Sequence, residues 1–126
     1  MLLYGGKWGR SRKCKGSTVA RVVQEFGSRT LDRALLLPMR FSAGLMLGDE
    51  PFGIWGPKSR HAFGHLGLVN KFAWADPQRD LSACILTSGI PIIAHHILPL
   101  VNAIRGIGNT IPVINEHPAP FTLKLG

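Results

Sequence analysis

One stretch constrains the fold of this chain more than any other: Ser59 to Gly89, SRHAFGHLGLVNKFAWADPQRDLSACILTSG. It reads as three short strands, at 61–68, 70–75 and 81–87. The turn Asp76-Pro77-Gln78-Arg79-Asp80 joins the last two. Pro77 fixes φ at the first central position, and the Asp76 side chain can accept a hydrogen bond from the backbone beyond it. Strands joined this tightly pair antiparallel. In the third, Leu81, Ala83, Ile85 and Thr87 fall on one face and Ser82, Cys84, Leu86 and Ser88 on the other. A strand so apolar and small is expected in the interior of a sheet, covered on both faces.

The flanking segments brace this meander. Gly5-Gly6 stops a short apolar start, and residues 5–17 read as a loop. Its glycines do not spell a phosphate-binding loop and follow no strand. Ser17 or Thr18 is placed to cap a helix carrying Val19, Val22, Val23 and Phe26 as one stripe, with Gly27 ending it. Ser28 to Leu37 suits either a short helical turn or irregular chain. Phe41 to Leu47 reads as a strand weakened by Gly44, and Gly48 to Pro57 as a loop or the arms of a hairpin. Beyond the meander, Ile93, Ile97, Leu100, Val101 and Ile104 form a helical face, which Pro99 either kinks or delays to a start at Leu98. Gly106 is expected to end it, so the chain divides into a partial domain, 1–105, and a loose tail, 106–126.

Composition narrows the function classes. The chain has 126 residues, enough for one domain, and 45% of them are apolar, which is globular rather than disordered. The formal charge is +8, and Lys7, Arg10, Arg12, Lys13, Lys15 and Arg21 crowd the first fifth of the chain. Such a cluster suits nucleic acid or an anionic surface. A solvated loop and helix face is the preferred reading, because Tyr4 and Trp8 are the only aromatics there for stacking on bases. No signal peptide precedes Tyr4, so a cytoplasmic location is the default expectation. The apolar run from Ile90 to Ile104 is too short to span a bilayer and contains His95-His96 and two prolines. Adjacent histidines face different ways on a helix, and no third ligand stands at a suitable spacing, so no metal is expected. Cys14 and Cys84 show no C-x-x-C spacing, and no cofactor motif is present. His61 and His117 are expected at the surface, and Trp55 and Trp74 in packing.

Phe63-Gly64-His65-Leu66-Gly67 followed by Phe72-Ala73-Trp74-Ala75-Asp76-Pro77 resembles the C-terminal part of the serine β-lactamase-related family. That family groups class C β-lactamases, penicillin-binding carboxypeptidases and many esterases. Its third motif is [KH]-x-G on a strand, and a strand ending in A-D-P commonly follows. Leu37 to Gly48, LPMRFSAGLMLG, also resembles the esterase-type members, and the resemblance runs over about residues 1–105.

The resemblance implies an α+β fold, an antiparallel sheet with helices on both faces. It implies that His65 occupies the substrate-side position, where histidine is typical of the esterase-like branch. Gly67 would let substrate approach the backbone, and the N–H of Leu68 would be the second oxyanion-hole donor. Val69 and Asn70 replace glycines frequent after the motif, which suits an ester or amide substrate other than a β-lactam.

The family nucleophile is the Ser of S-x-x-K, assisted by a Tyr motif. The serines at 11, 17, 28, 42, 59, 82 and 88 are followed three residues later by Cys14, Ala20, Leu31, Leu45, Ala62, Ile85 and Pro91. The one tyrosine, Tyr4, precedes Gly-Gly. Neither motif is present, and the site needs an activated nucleophile beside its base. The expectation is the C-terminal portion of a serine hydrolase, inactive alone, meeting its small-molecule substrate only in a complete enzyme. The alternatives are completion in trans by an N-terminal chain, or a basic binding module. In the family further strands pair beside the third strand of the meander. Left open, that edge would recruit other chains, as oligomers or aggregates or through a chaperone.

Overall fold

A computed structural model describes residues 2–33, 37–51, 53–67, 71–88 and 97–118. A 3-10 turn, Leu2–Tyr4, leads into a small hairpin of β1 (Lys7–Trp8) and β2 (Ser11–Arg12). Helix α1 (Gly16–Val23) follows. Then come β3 (Thr30–Asp32), β4 (Leu37–Phe41), β5 (Met46–Leu47), β6 (Phe63–Gly67), β7 (Lys71–Asp76) and β8 (Leu81–Leu86), and finally α2 (Ile97–Thr110). Strands β3 to β8 form one antiparallel sheet in sequence order.

The meander takes the expected form. Phe63 to Gly67 of β6 pair with Ala75 to Lys71 of β7, and Lys71 to Asp76 of β7 pair with Leu86 to Leu81 of β8. This register sorts the side chains into two faces. Leu66, Phe72, Trp74, Ala83 and Ile85 share the face that packs on α2, where Val101 and Ile104 are buried and Leu100 and Ile107 partly so. These α2 positions fall at helical spacing, so one stripe of the helix fills the core. Trp55 stacks on Trp74 with ring centroids 5.7 Å apart, and its indole Nε1–H donates to Met46 O at 3.1 Å. Both tryptophans are packing residues, and every polar atom of the stacked pair's indole at 55 is thereby satisfied within the sheet.

The other face carries Phe63, His65, Gly67, Lys71, Ala73, Ala75, Ser82, Cys84 and Leu86. Among the described residues its Phe63 end is the covered part. There Phe63 packs with Val23 of α1, Leu47, Leu2 and Leu45.

Several expectations are corrected. Among the described residues strand β8 lies at an edge of the sheet, as the family's strand pairing implies and against the interior placement expected from its composition, and its burial alternates, with Ser82, Cys84 and Leu86 exposed. Helix α1 starts after Lys15, which makes no side-chain cap bond, and stops at Val23 rather than Gly27. The reason is tertiary: Phe26 N donates to Phe41 O at 2.8 Å, so the chain is already extended against the sheet, and Phe26 is exposed. Phe41 to Leu47 is the hairpin of β4 and β5 rather than one strand. Ser42 Oγ accepts from Leu45 N at 3.0 Å and folds the chain back. Thr30–Asp32 is a strand, where the sequence left helix or irregular chain open.

Helix α2 is described over Ile97–Thr110 and passes through Gly106, its expected end; whether Pro99 kinks the helix or delays its start turns on residues outside the described ones. A Cβ on Gly108 would lie 2.8 Å from Trp55 O. The glycine there serves close packing of helix on loop, not termination. Beyond the helix, Ile114 N and Asn115 N both donate to Gln78 O, at 2.8 and 3.0 Å. Pro91, Ile93 and His95-His96 lie outside the described residues.

Candidate functional site

His65 projects from β6 onto the uncovered face of the sheet. Ala73 stands opposite it on β7, and Cys84 opposite Ala73 on β8. All three are exposed. Neighbouring strands lie about 4.8 Å apart, so His65 and Cys84 stand roughly 10 Å from each other across Ala73. Above this row lies a groove of about 610 Å³, walled by Leu2, Tyr4, Trp8, Leu45 and Phe63 and floored by the three strands. The lining is mostly apolar, and Tyr4, Trp8, His65, Ser82 and Cys84 are its residues with polar side-chain atoms. The arrangement can seat an apolar group and offer it one imidazole.

The two glycines of the His65 strand have different surroundings. A Cβ on Gly64 would sit 2.6 Å from Trp74 Cβ and 2.7 Å from Trp74 Cα, so Gly64 is dictated by the packing of β6 on β7. A Cβ on Gly67 would meet Lys71 O at 3.1 Å, which a small shift relieves. Gly67 is therefore not demanded by the fold to the same degree. Leu68, the expected backbone donor, lies outside the described residues.

At the opposite end of β7 the turn is locked by a buried ion pair that the sequence did not announce. Arg79 Nη1 meets Asp76 Oδ2 at 2.6 Å, with the two side chains 4% and 2% exposed. The same guanidinium donates to Lys58 O at 3.1 Å, Pro57 O at 2.7 Å, Gly108 O at 3.2 Å and Ile111 O at 2.9 Å. Asp76 Oδ1 also accepts from Gln78 N at 3.0 Å, the turn-forming role expected of it. An Arg at i+3 from an Asp inside a turn is a visible pairing. Nothing in the sequence showed that four carbonyls from two other segments would converge on it.

His61, expected at the surface, is half-buried beside this turn, with its backbone N donating to Gln78 Oε1 at 3.3 Å. Burial, with the nearby Arg60 adding to it, pulls the imidazole below its ordinary 6.5. Glu25 accepts from Arg40 Nη2 at 2.7 Å, and that bond holds its carboxyl below the ordinary 4.5. Both shifts act in one direction. The unfolded chain takes up protons on these groups before the folded chain does, so stability falls with falling pH. The decline starts near pH 6.5 for His61 and continues below pH 4.5 for Glu25. Urea midpoints measured from neutral pH to about pH 5 should fall in the wild type and fall less in His61→Gln.

Among the described residues no group of three or more His, Cys, Asp or Glu is arranged to hold a metal, and no helix is long and apolar enough to cross a membrane. His117 is exposed.

No protein-family model matches the chain, and no curated protein sequence matches it. Among solved structures it is similar to a novel penicillin-binding protein homologue from Caulobacter crescentus, at 26% identity and a TM-score of 0.64, over 87% of this chain and 29% of that one. It is similar also to a family VIII carboxylesterase, at 24% identity and a TM-score of 0.60, over 82% of this chain and 28% of that one. The chain thus spans less than a third of the length of either.

Proposed function

From a chain that carries a portion of the serine β-lactamase-related fold, we propose that it is the C-terminal, substrate-side part of an esterase-like hydrolase, without activity of its own. The observation that carries this reading is the combination of that fold with His65-Leu66-Gly67 on the strand that floors an apolar groove. In a complete site His65 would face the substrate, Gly67 would leave the backbone open to it, and the N–H of Leu68 would stabilise the oxyanion. A donor of that kind contributes roughly 3 kcal/mol to transition-state stabilisation. The substrate would be a small ester or amide with an apolar group for the groove. The serine and general base that acyl transfer requires have no counterpart in S-x-x-K or Y-x-N motifs here. Residues 1–105 would form the hydrolase portion.

A second reading, completion by an N-terminal chain in trans, is favoured by one feature: beyond its Phe63 end, the face carrying His65 and Cys84 stays exposed among the described residues.

Incubation of the purified chain with p-nitrophenyl butyrate and with a fluorophosphonate probe should give neither turnover nor a labelled serine. Covalent labelling with ester turnover by the chain alone would overturn the reading. Turnover that appears only when the complementing segment is added would select completion in trans.

A further inference from the structure

Behind the turn that leads into β6 lies a small recess of about 90 Å³, between the end of α1 and the sheet. Val23, Leu47 and Ala62 form its apolar wall, and Arg40, Arg60 and His61 supply every charged or titratable group of its lining. The volume is about three times the ~30 Å³ share of one water, which suits a small ion and not a whole organic substrate. These six residues come from α1, β4, β5 and the approach to β6. The site therefore uses neither β8 nor the exposed part of the sheet face.

The three basic groups are held in place by the surrounding backbone. Ala62 N donates to Ser59 O at 2.9 Å, so Arg60 and His61 are the central residues of a turn, and Ser59 and Ala62 at its ends are buried. Gly48 N donates to Ala62 O at 2.6 Å and ties the turn to the chain after β5, while Gln78 Oε1 accepts from His61 N at 3.3 Å. Arg40 comes from β4, with Nη1 donating to Gly48 O at 2.8 Å and Nη2 to Glu25 at 2.7 Å. Arg60 is exposed and forms no ion pair with a described residue. Arg29, Arg40 and Arg60 all act on Glu25, and Asp49, the second carboxylate of the cluster, pairs with Arg29 at 2.7 Å. Three guanidiniums thus face two carboxylates, and neither carboxylate lines the recess. His61 registers the excess: burial lowers its pKa most, and Arg60 and Arg40 lower it further against the opposing pull of Asp76 and Glu50.

We propose that this recess is an oxyanion site that holds a phosphate group, either the free ion or the head of a phosphate ester. Arg60 supplies a fork of donors that no partner occupies, and Arg40 and His61 add the positive field around it. Arg60 and His61 also line the adjoining groove of about 1010 Å³, where Gln78, Asn109, Ile111 and Val113 leave room for the organic part of an ester. None of these residues belongs to the His65 to Leu68 strand, so the site does not rest on the hydrolase reading.

Isothermal titration of the purified chain with inorganic phosphate and with phenyl phosphate, at one fixed ionic strength, tests this. A saturable one-to-one isotherm is expected. Arg60→Ala should weaken it at least about tenfold, the effect of losing one charge-assisted pair, and Arg60→Glu should abolish it. Because Arg60 is exposed and outside every ion pair among the described residues, both variants should melt within error of the wild type in phosphate-free buffer. Lys13→Ala removes an equal charge from the basic hairpin and should leave the affinity unchanged. Tighter binding of phenyl phosphate identifies an ester as the ligand, and equal affinity identifies the free ion. Three results would overturn the proposal. One is the absence of saturable binding by either ligand. A second is binding that Arg60→Ala leaves unchanged. The third is equal weakening by Lys13→Ala and Arg60→Ala, the sign of diffuse attraction to a chain of net charge +8.

Discussion

Arg79→Met should lower the stability of this chain by about 3–5 kcal/mol, the largest effect of any single substitution outside the hydrophobic core. Removing the guanidinium leaves Asp76 as a carboxylate that is 2% exposed without its partner. It also strips donors from the carbonyls of Pro57, Lys58, Gly108 and Ile111. Each buried acceptor left without a partner costs about 1–3 kcal/mol, and local relaxation recovers part of the sum. Domains of this size are stable by only about 5–15 kcal/mol, so the variant loses a large share. Urea denaturation followed by far-ultraviolet circular dichroism checks it, the expected result being a large drop in midpoint. Arg79→Lys keeps the charge but offers a compact head in place of the fork, and should recover only a minor part. A midpoint for Arg79→Met within error of the wild type would show that the carbonyls and Asp76 find other partners.

Gly64→Val should cost at least about 3 kcal/mol, because the new Cβ overlaps backbone and not a flexible side-chain end. At 2.6 Å from Trp74 Cβ it must push β6 away from β7. The Trp55–Trp74 stack lies directly behind that contact. The expected signature is loss of the exciton-type ellipticity of the two stacked indoles together with the drop in midpoint. Gly67→Ala gives the informative contrast. Among the described residues its Cβ comes nearest to Lys71 O, at 3.1 Å, so the fold should tolerate it within about 1 kcal/mol. A large loss of turnover from Gly67→Ala in a completed enzyme would then report on substrate approach and not on folding.

Much of the sheet was legible in the chain itself. The three short apolar runs expected at 61–68, 70–75 and 81–87 and the Asp-Pro turn specify the antiparallel meander, because strands joined this tightly pair antiparallel and Pro77 permits few turn geometries. The resemblance carried by Phe63 to Pro77 led to the same fold as the solved structures that this chain is similar to. His65 could be assigned to a strand but not to a groove, since Tyr4 and Trp8 reach that groove from some sixty residues away in sequence.

What local pattern alone determined was strand order in the meander, the apolar stripe of α2 and the placement of His65 on a strand. Whether β8 stands inside the sheet or at its rim, where α1 and α2 stop, and which carbonyls Arg79 ties together were decided only in three dimensions. Those outcomes depend on partners distant in the chain: Phe41 O draws Phe26 out of helix, and the close approach of Trp55 O leaves room only for glycine at position 108 of α2. Alternation and turn chemistry act between neighbours, whereas a backbone group accepts whichever donor the finished packing brings within reach.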